Sequence, residues 1–303
     1  MTAPRNAGWA ALALAATLAT PLAGASDAVV PLAPPPTPTL VPPAGWQLVW
    51  ADEFDVDGLP DPKKWAYDTR FNKQGWFNHE LQYYAAERPE NAVVRAGSLL
   101  VTARRETLDK AADWGGQHYT SARLLTRGLA EWTYGFFETR ARLPCGKGTW
   151  PAIWMLGTKG EWPDNGELDI MEHIGQAPGR VLSTIHMRAG YGDHAPGAGV
   201  TVPDACGAFH RYQMLWTDRR IVFGIDGVDH FSYPRMDIGA EPKRAWPFDS
   251  PQFLLLNLAI GGDLGGPVDD ASLPATMEVD YVRVWQTPTP TPAPAGKASA
   301  AKP

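Results

Sequence analysis

The sequence predicts an all-β domain built as a two-sheet sandwich. Apolar residues recur with a period of two, Gly and Pro punctuate the runs, and no stretch of ten or more residues carries an amphipathic helical pattern. Residues 99–103 and 136–143 alternate as half-buried strands. Residues 221–225 run into Asp226-Gly227, a dipeptide suited to a tight hairpin turn whose central residues take positive φ, and residues 228–233 return. The continuous apolar run over 253–259 predicts a strand buried on both faces. Residues 277–285 alternate cleanly and would close the fold.

The chain has 303 residues and a net charge of −6, without a basic stripe, which excludes a nucleic-acid partner. Arg5, an Ala-rich apolar run over 9–18 and the small-residue site Ala23-Gly24-Ala25 predict a signal peptide over 1–25. The run is too short to span a bilayer, and no later stretch could, so no membrane contact is expected after cleavage. Export to a periplasm or the medium follows. Residues 26–45 are Pro-rich and read as an extended linker. Residues 46–286 make one domain, and the Pro/Thr/Ala alternation over 287–303 reads as a disordered tail. Cys145 and Cys206 are the only cysteines; export permits a disulfide, and the sequence leaves open whether they meet. No zinc or haem spacing occurs.

The chemistry-bearing feature is Glu167-Leu168-Asp169-Ile170-Met171-Glu172, three carboxylates on an otherwise apolar strand. Charges are costly on such an element unless chemistry or a metal needs them. Alternation puts Glu167 and Asp169 on one face, whereas Glu172, at an odd offset, falls on the other. Either the acids are split, or a β-bulge near Ile170-Met171 returns Glu172 to its partners. The bulge is the reading taken. It suits glycoside hydrolysis with retention, which needs two carboxyl groups ~5–5.5 Å apart as nucleophile and acid/base. Asp169 between them would keep one acid ionised and the other protonated. Thirteen Trp residues offer platforms for sugar rings, although about half of such residues belong in a core.

About a dozen residues upstream stands Gly148-Thr149-Trp150-Pro151-Ala152-Ile153-Trp154-Met155-Leu156. With the Glu-x-Asp-x-x-Glu pattern it resembles glycoside hydrolase family 16, in its laminarinase-like branch. Trp50-Ala51-Asp52-Glu53-Phe54, the segment from Gly75 to Tyr84, Tyr134-Gly135-Phe136-Phe137-Glu138-Thr139-Arg140 and Asp280-Tyr281-Val282-Arg283-Val284 are similar to that family in order along the domain. The resemblance implies a β-jelly-roll sandwich with a concave glycan-binding cleft and a bulged catalytic strand. By position it makes Glu167 the nucleophile, Glu172 the acid/base and Asp169 the assisting carboxylate. It places Trp150 and Trp154 where glucosyl rings stack, and Asn78, Glu80 and Arg123 where sugar hydroxyls are bound. His186, on the next strand, would touch the acids. Blander alternatives are a core Trp154, a structural His186 and a solvated Arg123, and Trp76 and Trp216 fit cleft or core equally. The resemblance also offers Glu53, Gly97 and Asp280 for a structural calcium, against the alternative of plain surface acids. No cofactor is required for catalysis.

The sequence departs from the family pattern at Phe77-Asn78-His79-Glu80, at His173 and at Met187-Arg188-Ala189-Gly190-Tyr191. These positions bear on substrate preference more than on mechanism. The expected function is an exported, monomeric endo-β-1,3-glucanase acting on laminarin-like β-glucan. Its rivals are a same-fold hydrolase or transglycosylase for mixed-linkage glucan, agar or carrageenan, a non-catalytic glucan-binding protein, and a wall-spanning surface protein.

Overall fold

The computed structural model describes residues 40–236 and 242–288; the predicted signal peptide, most of the linker and the tail from residue 289 lie outside them. The body is a two-sheet β-jelly-roll sandwich, and its helices among the described residues are single turns such as Pro242–Ala245 and Gly262–Gly265. One sheet has seven strands in the order Gly197–Thr201, Arg180–His186, Glu167–His173, Thr149–Gly157, Gln252–Ile260, Arg123–Leu125 and Ala66–Tyr67. The ten-stranded sheet runs Val228–Pro234, Arg220–Ile225, His210–Trp216, Gly135–Arg142, Ala275–Gln286, Ser98–Arg105, Tyr119–Ser121 and Gln82–Tyr84. Gln47–Asp52 pairs with Ala275–Gln286, and Ala92–Arg95 with Ser98–Arg105.

The period-two runs form strands because each has one face to bury. Ile153, Met155, Leu168, Leu254, Leu256 and Leu258 from the seven-stranded sheet meet Phe137, Met214, Phe223, Met277, Val279 and Val284 from the other in one core. Trp216 belongs to this core, fully buried with its indole N–H donated to the Phe248 carbonyl, which settles its placement. Asp226 and Gly227 both take positive φ in the predicted hairpin.

Ala275–Gln286, the last strand, pairs with the first and lies inside the larger sheet, between Gly135–Arg142 and Ser98–Arg105. One expectation shifts. The linker ends earlier than its composition suggested. Leu40 is buried against Phe136 and Val222, and its N–H donates to the Gly227 carbonyl, so residue 40 already belongs to the body. Cys145 and Cys206 form a disulfide with Cα atoms 5.7 Å apart.

Candidate active site

The acids stand on Glu167–His173, and its pairing with both neighbours is irregular in one place. Asp169 opposes Trp154 and Glu172 opposes Ala152, so three residue steps on one strand match two on the other; against Arg180–His186 the same slip falls between Asp169 and Glu172. The extra residue sends both Ile170 and Met171 into the core. Glu172 thereby joins Glu167 and Asp169 on the face turned away from the core. Across this face the register sets Glu172, Ala152, Asn257 and Arg123 in one row, and Thr184, Asp169, Trp154 and Leu255 in the next.

Each acid has a different partner. Trp150 donates its indole N–H to Glu172 Oε1 at 3.1 Å, and Trp162 donates its own to Glu167 Oε2. His186 sits opposite Glu167, with Nε2 3.2 Å from Asp169 Oδ2. The Gly192 N–H donates to His186 Nδ1 at 3.1 Å, which leaves the ring proton on Nε2, facing Asp169. That contact is an electrostatic approach and not a hydrogen bond. Asp169 is 3 % exposed, and its Oδ2 therefore stands without a hydrogen-bond partner. A buried carboxylate oxygen in that state favours holding a proton.

Burial raises the pKa of all three acids. Glu172 is pushed well above the ordinary carboxylate range by burial and then by the charges of Asp169 and Glu167. Glu167 is also raised, to about 8, by burial first and then by Asp169, while His186, the Trp162 N–H and the Arg123 charge pull it back. His186 and the Trp150 N–H pull Glu172 back as well, but Glu172 is repelled by two carboxylates. Asp169 is raised by burial, with a hydrogen bond from Glu167 opposing. The cluster cannot hold three charges. Its protons settle on the acids with least support, and Glu172 has the weakest claim to remain ionised.

A second polar group lies beside the acids. Arg123 places its guanidinium over Trp154 at 4.7 Å and over Trp76 at 5.0 Å, with Nε 3.2 Å from buried Asp68. Trp76, undecided from sequence, is thus buried beneath Arg123. The Trp154 N–H donates to Asn257 Oδ1 at 2.7 Å, and Asn257 donates to the Tyr84 hydroxyl at 3.0 Å. Glu80 Oε2 accepts from Gln82 at 2.7 Å and from Tyr84 at 3.3 Å. Burial raises the Glu80 carboxyl, and Arg123 counters it. Asn78 is exposed at a left-handed turn shared with His79, and its carbonyl accepts from the Asp263 N–H at 2.9 Å. Trp150 is only 8 % exposed, so it presents less ring to a ligand than its place before a proline suggested.

Glu53, Gly97 and Asp280 do not fit a calcium site. Both Glu53 oxygens are held at 2.8 Å by Arg283, and Asp280 pairs with Arg140 at 2.5 Å. Gly97 occupies the turn between Ala92–Arg95 and Ser98–Arg105. Carboxylates already neutralised by guanidinium groups leave little for a hard cation to bind.

Sequence reasoning missed three members of this face. Trp162, 48 % exposed, touches Glu167 and stacks edge-on with Tyr191, itself 43 % exposed, at 5.3 Å between ring centroids. Asn257 is the third. It had a signal, being the single polar residue in the apolar run 253–259; Phe253, Leu255 and Asn257 share the outward face beside Trp154.

Comparison with known proteins agrees with this geometry. Residues 72–283 match the family model for glycosyl hydrolases family 16. The chain is 48 % identical over 255 residues to a β-glucanase of Rhodothermus marinus, covering 80 % of this chain and 85 % of that protein. Among solved structures, SCLam, a non-specific endo-β-1,3(4)-glucanase, superposes with a TM-score of 0.79 at 49 % identity, covering 82 % of this chain and 94 % of that one. The laminarinase from Rhodothermus marinus gives 0.75 at 48 % identity, covering 80 % and 97 %. A match along most of the folded body, with relatives near half identical over the same span, permits one conclusion: the chain belongs to glycosyl hydrolases family 16.

Proposed function

We propose that this protein is a retaining endo-β-1,3-glucanase that cleaves laminarin-like β-glucans. The observation that carries the reading is the bulged strand, which gathers Glu167, Asp169 and Glu172 on one face with unequal tendencies to ionise. Glu172, repelled by both neighbours, holds a proton and delivers it to the glycosidic oxygen as the bond to the anomeric carbon breaks. Glu167, which ionises more readily than Glu172 because His186, the Trp162 N–H and the Arg123 charge all favour its carboxylate, attacks that carbon in its ionised form and forms a glycosyl ester. Glu172, now a carboxylate, takes a proton from water, whose oxygen displaces Glu167 and restores the starting state. Asp169 exchanges a proton with its neighbours as the charges move.

Trp154 supplies a ring face backed by Arg123, and Asn78, Glu80 and Arg123 supply polar contacts for sugar hydroxyls. Trp150 acts through Glu172, and His186 through Asp169. No step needs a metal. The N-terminal leader pattern and the disulfide support an exported enzyme.

The test is Glu167→Ala assayed on laminarin with product sizing. Loss of hydrolysis in a protein that keeps its circular dichroism spectrum is expected, and a folded variant with a near-native rate sinks the assignment. A second reading, broader use of mixed-linkage glucan, is favoured by likeness to a relative described as non-specific. Comparable rates on a purified mixed-linkage glucan and on laminarin would establish it.

A further inference from the structure

We propose that Asp164 and Arg188 form a clasp that positions Trp162 on Glu167. The inference rests on the reading of Glu167 as nucleophile. Trp162 lies on the loop between Thr149–Gly157 and Glu167–His173, two residues before Asp164. Arg188 grips Asp164 with both arms of its fork, Nε to Oδ1 at 2.6 Å and Nη2 to Oδ2 at 2.7 Å. Most exposed ion pairs contribute little, and the two-point Arg–carboxylate geometry is the exception.

Both ends of the clasp are anchored. Arg188 sits at the tip of a tight turn in which Met187 and Gly190 exchange both backbone hydrogen bonds, and the Ala189 N–H donates to the Arg244 carbonyl at 2.8 Å. Met187 is buried in the core. On the other side Gly157 donates to the Gly166 carbonyl at 3.0 Å, Thr158 to Pro251 at 3.0 Å, and the Asn165 side chain to Gly157 at 2.9 Å. The turn that carries Arg188 leads into Tyr191, whose ring meets Trp162 edge-on. One ion pair thus joins two braced loops, and the indole that donates to Glu167 stands two residues from Asp164 in sequence with its ring against Tyr191.

The clasp acts on Glu167 only through Trp162, so Asp164 and Arg188 are positioning residues. Glu167 also faces Asp169 and Glu172 on its own strand, His186 on the next and Arg123 across the sheet; Arg244 lies near Asp164. None of these is removed by changing the clasp. Loss of the indole N–H removes a donor from the ionised carboxylate, so the pH at which Glu167 becomes active rises.

The experiment is the pH profile of kcat/KM on laminarin for Trp162→Phe, Asp164→Asn, Arg188→Gln, Arg188→Lys and the Asp164→Asn/Arg188→Gln double variant. Trp162→Phe sets the ceiling, moving the acid limb up by about half to one pH unit. Each single clasp variant is expected to move it the same way by less. The double variant should match the singles, since either change opens the same clasp. Arg188→Lys, a single-point donor, should fall between wild type and Arg188→Gln. Acid limbs that stay in place, or additive losses in the double variant, overturn the clasp. Glu167→Ala is assayed alongside: if it is active, the nucleophile reading fails; if it is inactive while the acid limbs stay in place, only the clasp fails.

Discussion

Glu172 is the group whose ionisation this face tolerates least, and that intolerance reaches folding stability. A carboxyl with a raised folded-state pKa keeps its proton to higher pH in the native state than in the unfolded chain. Its contribution to stability therefore declines as pH climbs from the ordinary carboxylate range through the raised value. Glu172→Gln removes that penalty together with the acid/base. We expect the variant to be inactive on laminarin yet to melt about 2–4 °C above wild type at pH 8, with the gain vanishing near pH 4. Calorimetry at the two pH values checks it; a gain independent of pH would falsify the linkage. The same residues show what could be read from sequence. Carboxylates on an apolar strand declare themselves by their cost. Trp162 and Tyr191 lie on exposed loops, where no periodicity marks which aromatic turns back toward the acids.

At the scale of the element, the bulge has a function separable from packing. Deleting Ile170 leaves a regular strand in which Asp169 still opposes Trp154 and Glu172 still opposes Ala152, so the sheet register survives. Local bend and twist are lost, and Glu172 is re-aimed. We expect the deletion to fold and to lose about a hundredfold in rate, the scale of a misplacement near 1 Å. Ile170→Ala keeps the bulge and opens only a cavity. It should cost about 2–5 kcal/mol in urea unfolding while retaining most of the rate. Equal activity losses in the two variants would make the bulge a packing feature only. The odd spacing of Glu172 made this bulge readable, and clean alternation did the same for the longer strands. The parallel pair Gln82–Tyr84 and Tyr119–Ser121 was not readable: three residues carry no period, and the partners lie far apart in the chain.

At the scale of the molecule, sheet order was the least readable property. Alternation says that a strand has a buried face and nothing about which neighbour it takes; the placement of Ala275–Gln286 inside its sheet shows this. The disulfide is a constraint of the same long-range kind, joining residues 61 apart. Loop-closure entropy for a ring of that size predicts that the Cys145→Ser/Cys206→Ser double variant loses about 4 kcal/mol. Urea unfolding of both proteins measures the loss, and unchanged midpoints would show that the bridge adds nothing.

The first and last strands of the body lie side by side, with Gln47 opposite Gln286 in antiparallel register. Their outer ends are therefore close enough to be sewn together by a few residues, and the chain can be opened elsewhere without disturbing a sheet. Asp109 and Lys110 are exposed at a turn remote in sequence from the acids and interrupt no strand. A circular permutant that begins at Lys110 and ends at Asp109 should keep the acid strand, its two neighbours and both braced loops on one unbroken segment. The enzyme is in this sense a closed circuit whose point of entry is a matter of gene order, and laminarin hydrolysis by the permutant is the way to read it.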